Sequence, residues 1–261
     1  FSRPRTRYYY HKIDPVYSTQ KPWVAEGERW DWVAIYDYQR DPEGNIVHGS
    51  NGFPLVNKFT TLKGYSEPDW IWGLSTSVNW KGITLSITID GRVGGVGYSM
   101  TDQAMWNSGA HIDSDNQYRY EEVVNNNKTF IGQGVKVVSG KAEWDANGNV
   151  IMDNRVFAPN DKVVSYQDYM MTTNPYASGD NKRAQNWFDK TFIKLRDLSI
   201  SYEIPQSVCQ KIGMKGASVG FVGQNLLMWA KEFRFSDPDK VQDALSSPSI
   251  RYMGFNVKFD F

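Results

Sequence analysis

The sequence is short of several things, and each shortage narrows what the chain can do. Cysteine is almost missing: Cys209 stands alone among 261 residues. That excludes an intrachain disulfide framework and a thiolate metal cluster. Charge of one sign is not in excess, since Lys+Arg and Asp+Glu each number 29. A nucleic-acid binder shows a basic surplus or stripe, and none is present. No apolar run approaches the ~20 residues that a membrane-crossing helix needs, and mean hydropathy is −0.55. A helical membrane protein is therefore excluded. A β-barrel is not, because strands that alternate lipid-facing and lumen-facing residues average out as polar. Histidine is scarce and dispersed, at His11, His48 and His111, so no metal-ligand spacing arises. Neither an initiator Met nor a signal peptide precedes Phe1, and we expect a piece of a longer polypeptide.

Aromatic residues, by contrast, are abundant at 15%, with 10 Trp and 15 Tyr. Their placement is patterned. Trp70, Trp72, Leu74, Thr76, Val78 and Trp80 alternate with Ile71, Gly73, Ser75, Ser77 and Asn79. Successive strand side chains point to opposite faces, so this is one greasy face and one mostly small, polar face, with Ile71 its one apolar exception. Ten steps of ~3.3 Å make about 33 Å, or roughly 24 Å of height at a tilt of ~40–45°, which matches a membrane's apolar band. Trp70, Trp72 and Trp80 then read as membrane-interface aromatics. Ile83, Leu85, Ile87 and Ile89 repeat the alternation after a short turn at 80–82. The last strand places Met253, Phe255, Val257, Phe259 and Phe261 on one face, opposite Tyr252, Gly254, Asn256, Lys258 and Asp260.

Other segments are less regular. Over 192–203, Leu198, Ile200 and Tyr202 share a face, but Ile193 and Leu195 are out of phase with them. A β-bulge near Arg196-Asp197 restores the phase. Alternation is loose over 217–229; Trp30, Trp32, Ala34, Tyr36 and Tyr38 suggest an aromatic-rich strand, and residues 3–12 the end of another. Connections are short at 80–82 and 205–216 and long at 94–189 and 231–247, a pairing of short turns with long loops seen in outer-membrane barrels. A connection as long as 94–189 needs structure of its own. Within it, 142–156 reads as a hairpin turning on Asp145-Ala146-Asn147-Gly148.

Motifs that carry chemistry are weak. Arg92-Val93-Gly94-Gly95-Val96-Gly97 lacks the Lys-Ser/Thr of a phosphate-binding loop. Asp113-Ser114-Asp115-Asn116 and the stretch from Asp145 to Asn149 lack the spacing of a calcium loop and read as solvated turns. Cys209 reads as a packed thiol. No nucleophile–base pattern or supported carboxylate pair points to an enzyme, and no cofactor or metal is expected. For substrate contact, Trp106, Tyr118, Tyr120, Trp144, Tyr166 and Tyr169 offer flat faces in the long loop. They equally suit packing of that loop or a partner surface.

Several of these stretches resemble the SusC/RagA family of TonB-dependent outer-membrane transporters. Glu67-Pro68-Asp69-Trp70 is similar to that family's Asn-Pro-Asp-Trp, and Trp80-Lys81-Gly82-Ile83-Thr84-Leu85-Ser86 to its Tyr-Lys-Asn-Phe-x-Leu-Ser. Phe192-Ile193-Lys194-Leu195-Arg196-Asp197-Leu198-Ser199-Ile200-Ser201-Tyr202 resembles Phe-Ile-Lys-Leu-Arg-Glu-Val-Ser-Leu-Ser-Tyr. Val222-Gly223-Gln224-Asn225-Leu226-Leu227 resembles Ser-Gly-Gln-Asn-Leu-Phe. The resemblance covers about residues 30–261. It implies an all-β fold: an antiparallel transmembrane β-barrel of about 22 strands, with 1–261 as its carboxy-terminal segment and 94–189 as a long extracellular loop. It implies import of an oligosaccharide or peptide across a bacterial outer membrane. The partners implied are a SusD-like surface lipoprotein, membrane lipid, the remaining barrel and plug segments, and TonB through a part of the transporter absent from this chain. Phe255, Phe259 and Phe261 then resemble the barrel-assembly signal of such proteins. The competing expectation is a soluble secreted or surface glycan-binding module, which would bury its Trp-rich strand faces in a core.

Overall fold

The computed structural model describes residues 29, 31–57, 60–145, 150–173, 186–240, 243, 245 and 249–261. The expected strand end at residues 3–12, Trp30 and the hairpin turn at 146–149 lie outside these. In chain order the first elements are β1 (Trp32–Ile35), β2 (Val47–His48), β3 (Thr61–Tyr65), β4 (Trp70–Trp80), β5 (Ile83–Val93) and β6 (Val96–Tyr98). The long connection holds α1 (Met100–Ser108), α2 (Gln117–Val124), β7 (Phe130–Ile131), β8 (Val135–Ser139), β9 (Ala142–Trp144), β10 (Val150–Asp153), β11 (Val156–Pro159), β12 (Val163–Val164) and α3 (Tyr166–Thr173). The chain returns through β13 (Trp187–Asp189), β14 (Phe192–Ile204), α4 (Gln206–Cys209), β15 (Gly216–Ala230) and β16 (Tyr252–Asp260).

The principal sheet is antiparallel, five strands wide, in the order β16-β15-β14-β5-β4. β4 and β5 are joined by Lys81 and Gly82 at φ 49° and 81°. Such a two-residue turn with both φ positive matches the right-handed twist of the strands it links. The register then decides the faces. Trp80 lies opposite Ile83, and Leu74 opposite Ile89. Ile200 lies opposite Leu85 on one side and Phe221 on the other, and Phe221 opposite Phe255. Apolar residues of all five strands therefore share one face.

Keeping that face apolar over the length of β14 requires the bulge expected from the sequence. Leu195 pairs with Ile89 and Asp197 with Thr88, so Arg196 is an extra residue. On the other side Leu195 pairs with Leu227 and Asp197 with Gln224, which leaves Asn225 and Leu226 facing Arg196. The slip returns Ile193 and Leu195 to the face of Leu198 and Ile200. The opposite face is a ladder of small polar groups: Ser75 to Thr88 at 3.1 Å, Ser77 to Ser86 at 2.9 Å and Asn79 to Thr84 at 2.7 Å.

Closure is where the expectation is corrected. Among the described residues the sheet is open, with no strand paired to the outer edges of β4 and β16, and the remaining strands form separate small sheets. It is not a closed β-barrel, and the strands read from sequence as transmembrane are strands of an open sheet. The physical reason is that alternation specifies a face but not closure, which needs both edges paired. A free edge in lipid leaves backbone donors and acceptors unpaired at several kcal/mol each. The chain is not all-β either, because α1, α2 and α3 occupy the long connection. α1 starts at Ser99, whose side chain accepts from the Asp102 amide, and ends at Gly109 with φ 70°. Among the described residues no helix is long and apolar enough to cross a membrane.

One end of the polar face is covered by the connection after β15. Lys194 and Asp237 are both buried and form an ion pair. Asp237 also accepts from the Asp239 amide at 2.9 Å and from the Ser249 hydroxyl. Arg196 clamps Asp90 with two bonds of 2.8 Å and reaches Asp239 at 2.5 Å. Burial raises the Asp237 carboxyl, but Lys194, Ser249 and the Asp239 amide outweigh it and hold the group below the usual carboxylate range. Its contribution is present above the unfolded carboxylate pKa of about 4 and is lost as pH falls through the depressed folded value. Lys194→Ala leaves Asp237 buried without its cation. We expect a loss of about 3–5 kcal/mol in thermal or urea unfolding, recovered in large part by the apolar pair Lys194→Met with Asp237→Leu.

Candidate functional site

The long connection packs around aromatic rings that are far apart in sequence. Tyr166 and Tyr169 project from α3 and are buried. The Phe130 ring meets Tyr169 edge-on at 4.9 Å, Tyr166 at 5.2 Å and Tyr118 at 5.1 Å. The Tyr169 hydroxyl lies 3.0 Å from His48 Nε2, and His48 Nδ1 lies 3.3 Å from the Val135 carbonyl. Burial pushes the His48 imidazole down and the Tyr169 phenol up to about 12, so both are neutral near pH 7. Asn116, the N-cap of α2, donates to the Tyr166 hydroxyl at 2.7 Å. Tyr118, Tyr166 and Tyr169 thus serve the interior of this body, with Tyr118 still half exposed.

A cleft of about 220 Å³ opens beside them, lined by Trp106, Arg119, Val123, Tyr166, Met170 and Met171 among others. Of the six aromatics singled out in the sequence, the structure brings Trp106 and Tyr166 together here. Trp106 is held by stacking on His111, centroids 4.2 Å apart and planes 14° from parallel. Arg119 donates to the Gly109 carbonyl at 2.8 Å and to Ser114 Oγ at 2.9 Å, which fixes its guanidinium at the rim. Tyr120 is exposed on α2, and Trp144 sits on β9, paired with Val150; neither lines this cleft. Arg119 and the two methionines carried no sequence signal beyond belonging to the long loop.

His111 is the one histidine of this region that faces a carboxylate. Its Nε2 lies 3.2 Å from Asp102 Oδ1, while Asn186 donates to Asp102 Oδ2 at 3.0 Å. Burial raises the Asp102 carboxyl, opposed by His111. The nearby Ser114 hydroxyl donates to the His111 carbonyl at 2.6 Å rather than to the ring. The group is therefore a packed polar hub, without the nucleophile-to-base contact that acyl transfer requires.

The aromatics expected at a membrane interface sit on the apolar face of the main sheet. Trp80 is 63% exposed, whereas Trp70 and Trp72 are half-buried. The Trp72 indole lies against Gly91, where a Cβ would come within 2.5 Å of the ring. Phe255 and Phe261 are 82% and 80% exposed on the same face as Phe259. The assembly signal expected of these three rested on an aromatic residue closing an alternating strand, and β16 does carry that alternation. Cys209 is buried, as a packed thiol should be, with Sγ 3.6 Å from the Ile204 carbonyl.

No protein-family model matches the sequence, and no curated protein matches it. Solved structures do. The RagAB peptide importer in its closed-closed state aligns with a TM-score of 0.51 at 16% identity, over 96% of this chain and 25% of that one. The RagAB peptide transporter gives 0.48 at 16% identity, over 91% and 24%. The open-open importer gives 0.44 at 17%, over 88% and 22%. At such identity the likeness is one of fold, and the chain spans about a quarter of the length of the structures it matches.

The loop body generates a pH prediction. His48 has a folded pKa below its unfolded value, so its contribution is full above about pH 6.5 and is lost as pH falls through the folded value. Hydrogen exchange of β2, β8 and α3 should quicken as pH drops below that point, and His48→Gln should flatten the dependence. Tyr169→Phe removes the partner of a buried ring nitrogen and should lower stability by about 1–3 kcal/mol at pH 7.

Proposed function

We propose that this chain is part of an outer-membrane importer of the SusC/RagA kind. It takes up a nutrient, an oligosaccharide or a peptide, driven through TonB by a segment outside this chain. A SusD-like surface lipoprotein presents the cargo to the loop body. The observation that carries this reading is the asymmetry of the main sheet. One face exposes Leu74, Val78, Trp80, Val219, Met253, Phe255, Val257 and Phe261. Among the described residues no second layer packs over them. Each such side chain left in water forgoes on the order of 1.5–3 kcal/mol, so the face belongs against lipid or other apolar surface. The hydroxyl ladder on the other face suits water and polar cargo. A soluble glycan-binding module would bury these aromatics, which weighs against that alternative. The sequence resemblance and the fold likeness to part of the RagAB importer support the same reading.

In this reading Trp106 and the exposed Tyr120 meet cargo, while Tyr118, Tyr166 and Tyr169 hold the body that presents them. Deleting the gene should abolish growth on the cognate nutrient, and the lipoprotein should co-purify in detergent. Trp106→Ala should weaken uptake several-fold at unchanged thermal stability; Tyr169→Ala should lower stability first. Phe255→Lys should deplete the protein from the outer-membrane fraction, whereas Asn256→Lys on the opposite face should not. Equal depletion by both, or recovery of the protein without detergent, would remove the reading.

A further inference from the structure

A second cavity, of about 430 Å³, lies where the bulged end of β14 and β15 meets the segment that follows β15. It is about twice the volume of the aromatic cleft and chemically unlike it. Its apolar wall comes from Leu227, Met228 and Phe235, and its charged rim from Arg234 and Arg251. We propose that this cavity binds a carboxylate group of the imported molecule, an inference that rests on the importer reading above.

The argument is one of which charges are already answered. Lys194 and Asp237 both line the cavity, but they neutralise each other. Asp237 is further occupied by the Ser249 hydroxyl and, at 2.9 Å, the Asp239 amide. A buried carboxylate already paired with a cation and accepting two further hydrogen bonds has little left to draw in a cationic ligand. Arg234 spends one nitrogen, Nη1, on Asp113 at 2.7 Å, and its guanidinium carbon lies 5.3 Å from the Phe235 centroid. The rest of its donor fork is available. Arg251 is exposed, and among the described residues it forms no ion pair. Beside its apolar wall the cavity therefore presents one guanidinium, that of Arg251, with no ion-pair partner among the described residues, and a second, that of Arg234, with part of its fork unused. A guanidinium fork matches a carboxylate with two parallel hydrogen bonds.

Backbone geometry gives a second, independent observation. Asn225 lines the cavity and holds φ 51°, a left-handed conformation for a residue that is not glycine. It sits in the bulge opposite Arg196, and bulges re-aim side chains. Its Nδ2 donates to the Ile250 carbonyl at 3.2 Å, which ties the bulged strand to the residue before Arg251. Asn tolerates the left-handed region better than other non-glycine residues, so the bulge can turn the chain here at little cost. Asn225 is thus a positioning residue for Arg251.

The carboxylate can belong to a uronic acid or to a peptide terminus, because both join it to a body with an apolar face. The test is calorimetric titration of the complete importer in detergent, with four probes: trigalacturonate, maltotriose, and an alanine tetrapeptide with a free or an amidated carboxy terminus. At least one acid should bind about ten-fold or more tightly than its neutral counterpart, and the preference should shrink with added salt. Which acid binds identifies the source. Arg251→Gln should erase the preference, and Arg251→Lys, which keeps the charge and loses the fork, should restore part of it; Arg251 is exposed, so both variants should unfold like the wild type. Acids and neutral probes that bind alike, or Arg251→Gln indistinguishable from wild type, would overturn the site. Growth that depends on the gene with neutral cargo alone would spare the importer and remove the carboxylate site. Acid binding without any uptake defect on deletion would do the reverse.

Discussion

Side-chain phase governs this chain. Because strand residues alternate between faces, a single unmatched residue inverts everything beyond it. Five strands keep one face apolar only because their registers agree, and β14 would break that agreement on its own: Ile193 and Leu195 fall out of step with Leu198, Ile200 and Tyr202. Arg196 absorbs the slip on the β5 side, and Asn225 with Leu226 absorbs it on the β15 side. The correction happens at residues that also do other things. Arg196 bonds Asp90 and Asp239, and Asn225 holds Ile250. The place where the ladder is interrupted is the place where the following segment is fastened.

That fastening links the sheet to the loop body. Lys194 and Arg196 project from the polar face and fix Asp237 and Asp239, which keeps the connection after β15 over one end of the sheet. The same connection reaches the helical body through Asp243, which accepts from Thr101 at 2.5 Å and from the Ser99 and Ser236 hydroxyls. Arg234 reaches Asp113 from the other direction. A polar seam thus joins sheet, connection and loop body, while the opposite sheet face stays apolar. The side chains that line the two cavities lie with this seam, and the exposed large apolar side chains of the sheet lie on its other face.

Much of the sheet was legible in the sequence. The alternations in β4, β5 and β16 are clean, the short turn at Lys81-Gly82 is where the pattern breaks, and the bulge follows from the phase of Ile193 and Leu195. Closure was not legible, because alternation reports which way a side chain points and says nothing about what pairs with an edge. The helices of the long connection were missed although their caps are visible, Ser99 three residues before Asp102 and Asn116 before Gln117; no strong apolar stripe accompanies them. The site was less legible still. His48 and Tyr169 are 121 residues apart, and Lys194 and Asp237 are 43 apart. Contacts over such separations leave no local pattern, so the aromatics could be named but not sorted into packing and exposed ones. Arg119 and Arg251 look like ordinary surface charges until the cavities beside them are seen.

The importer reading proposed above rests on one claim: that the apolar face of the main sheet lies against an apolar surface and the other face does not. It is tested by spin-label accessibility in the complete protein reconstituted in lipid, after Cys209→Ala removes the native thiol. Labels replacing Val78, Leu85, Ile200 and Val257 sample the apolar face, and labels replacing Ser77, Ser86, Ser199 and Asn256 sample the polar one. The account predicts collision with oxygen, and not with a water-soluble nickel chelate, for the first set, and the opposite preference for the second. Equal accessibility of both sets, or protection of the first set from both reagents, would show that the apolar face is covered by protein and would contradict the account.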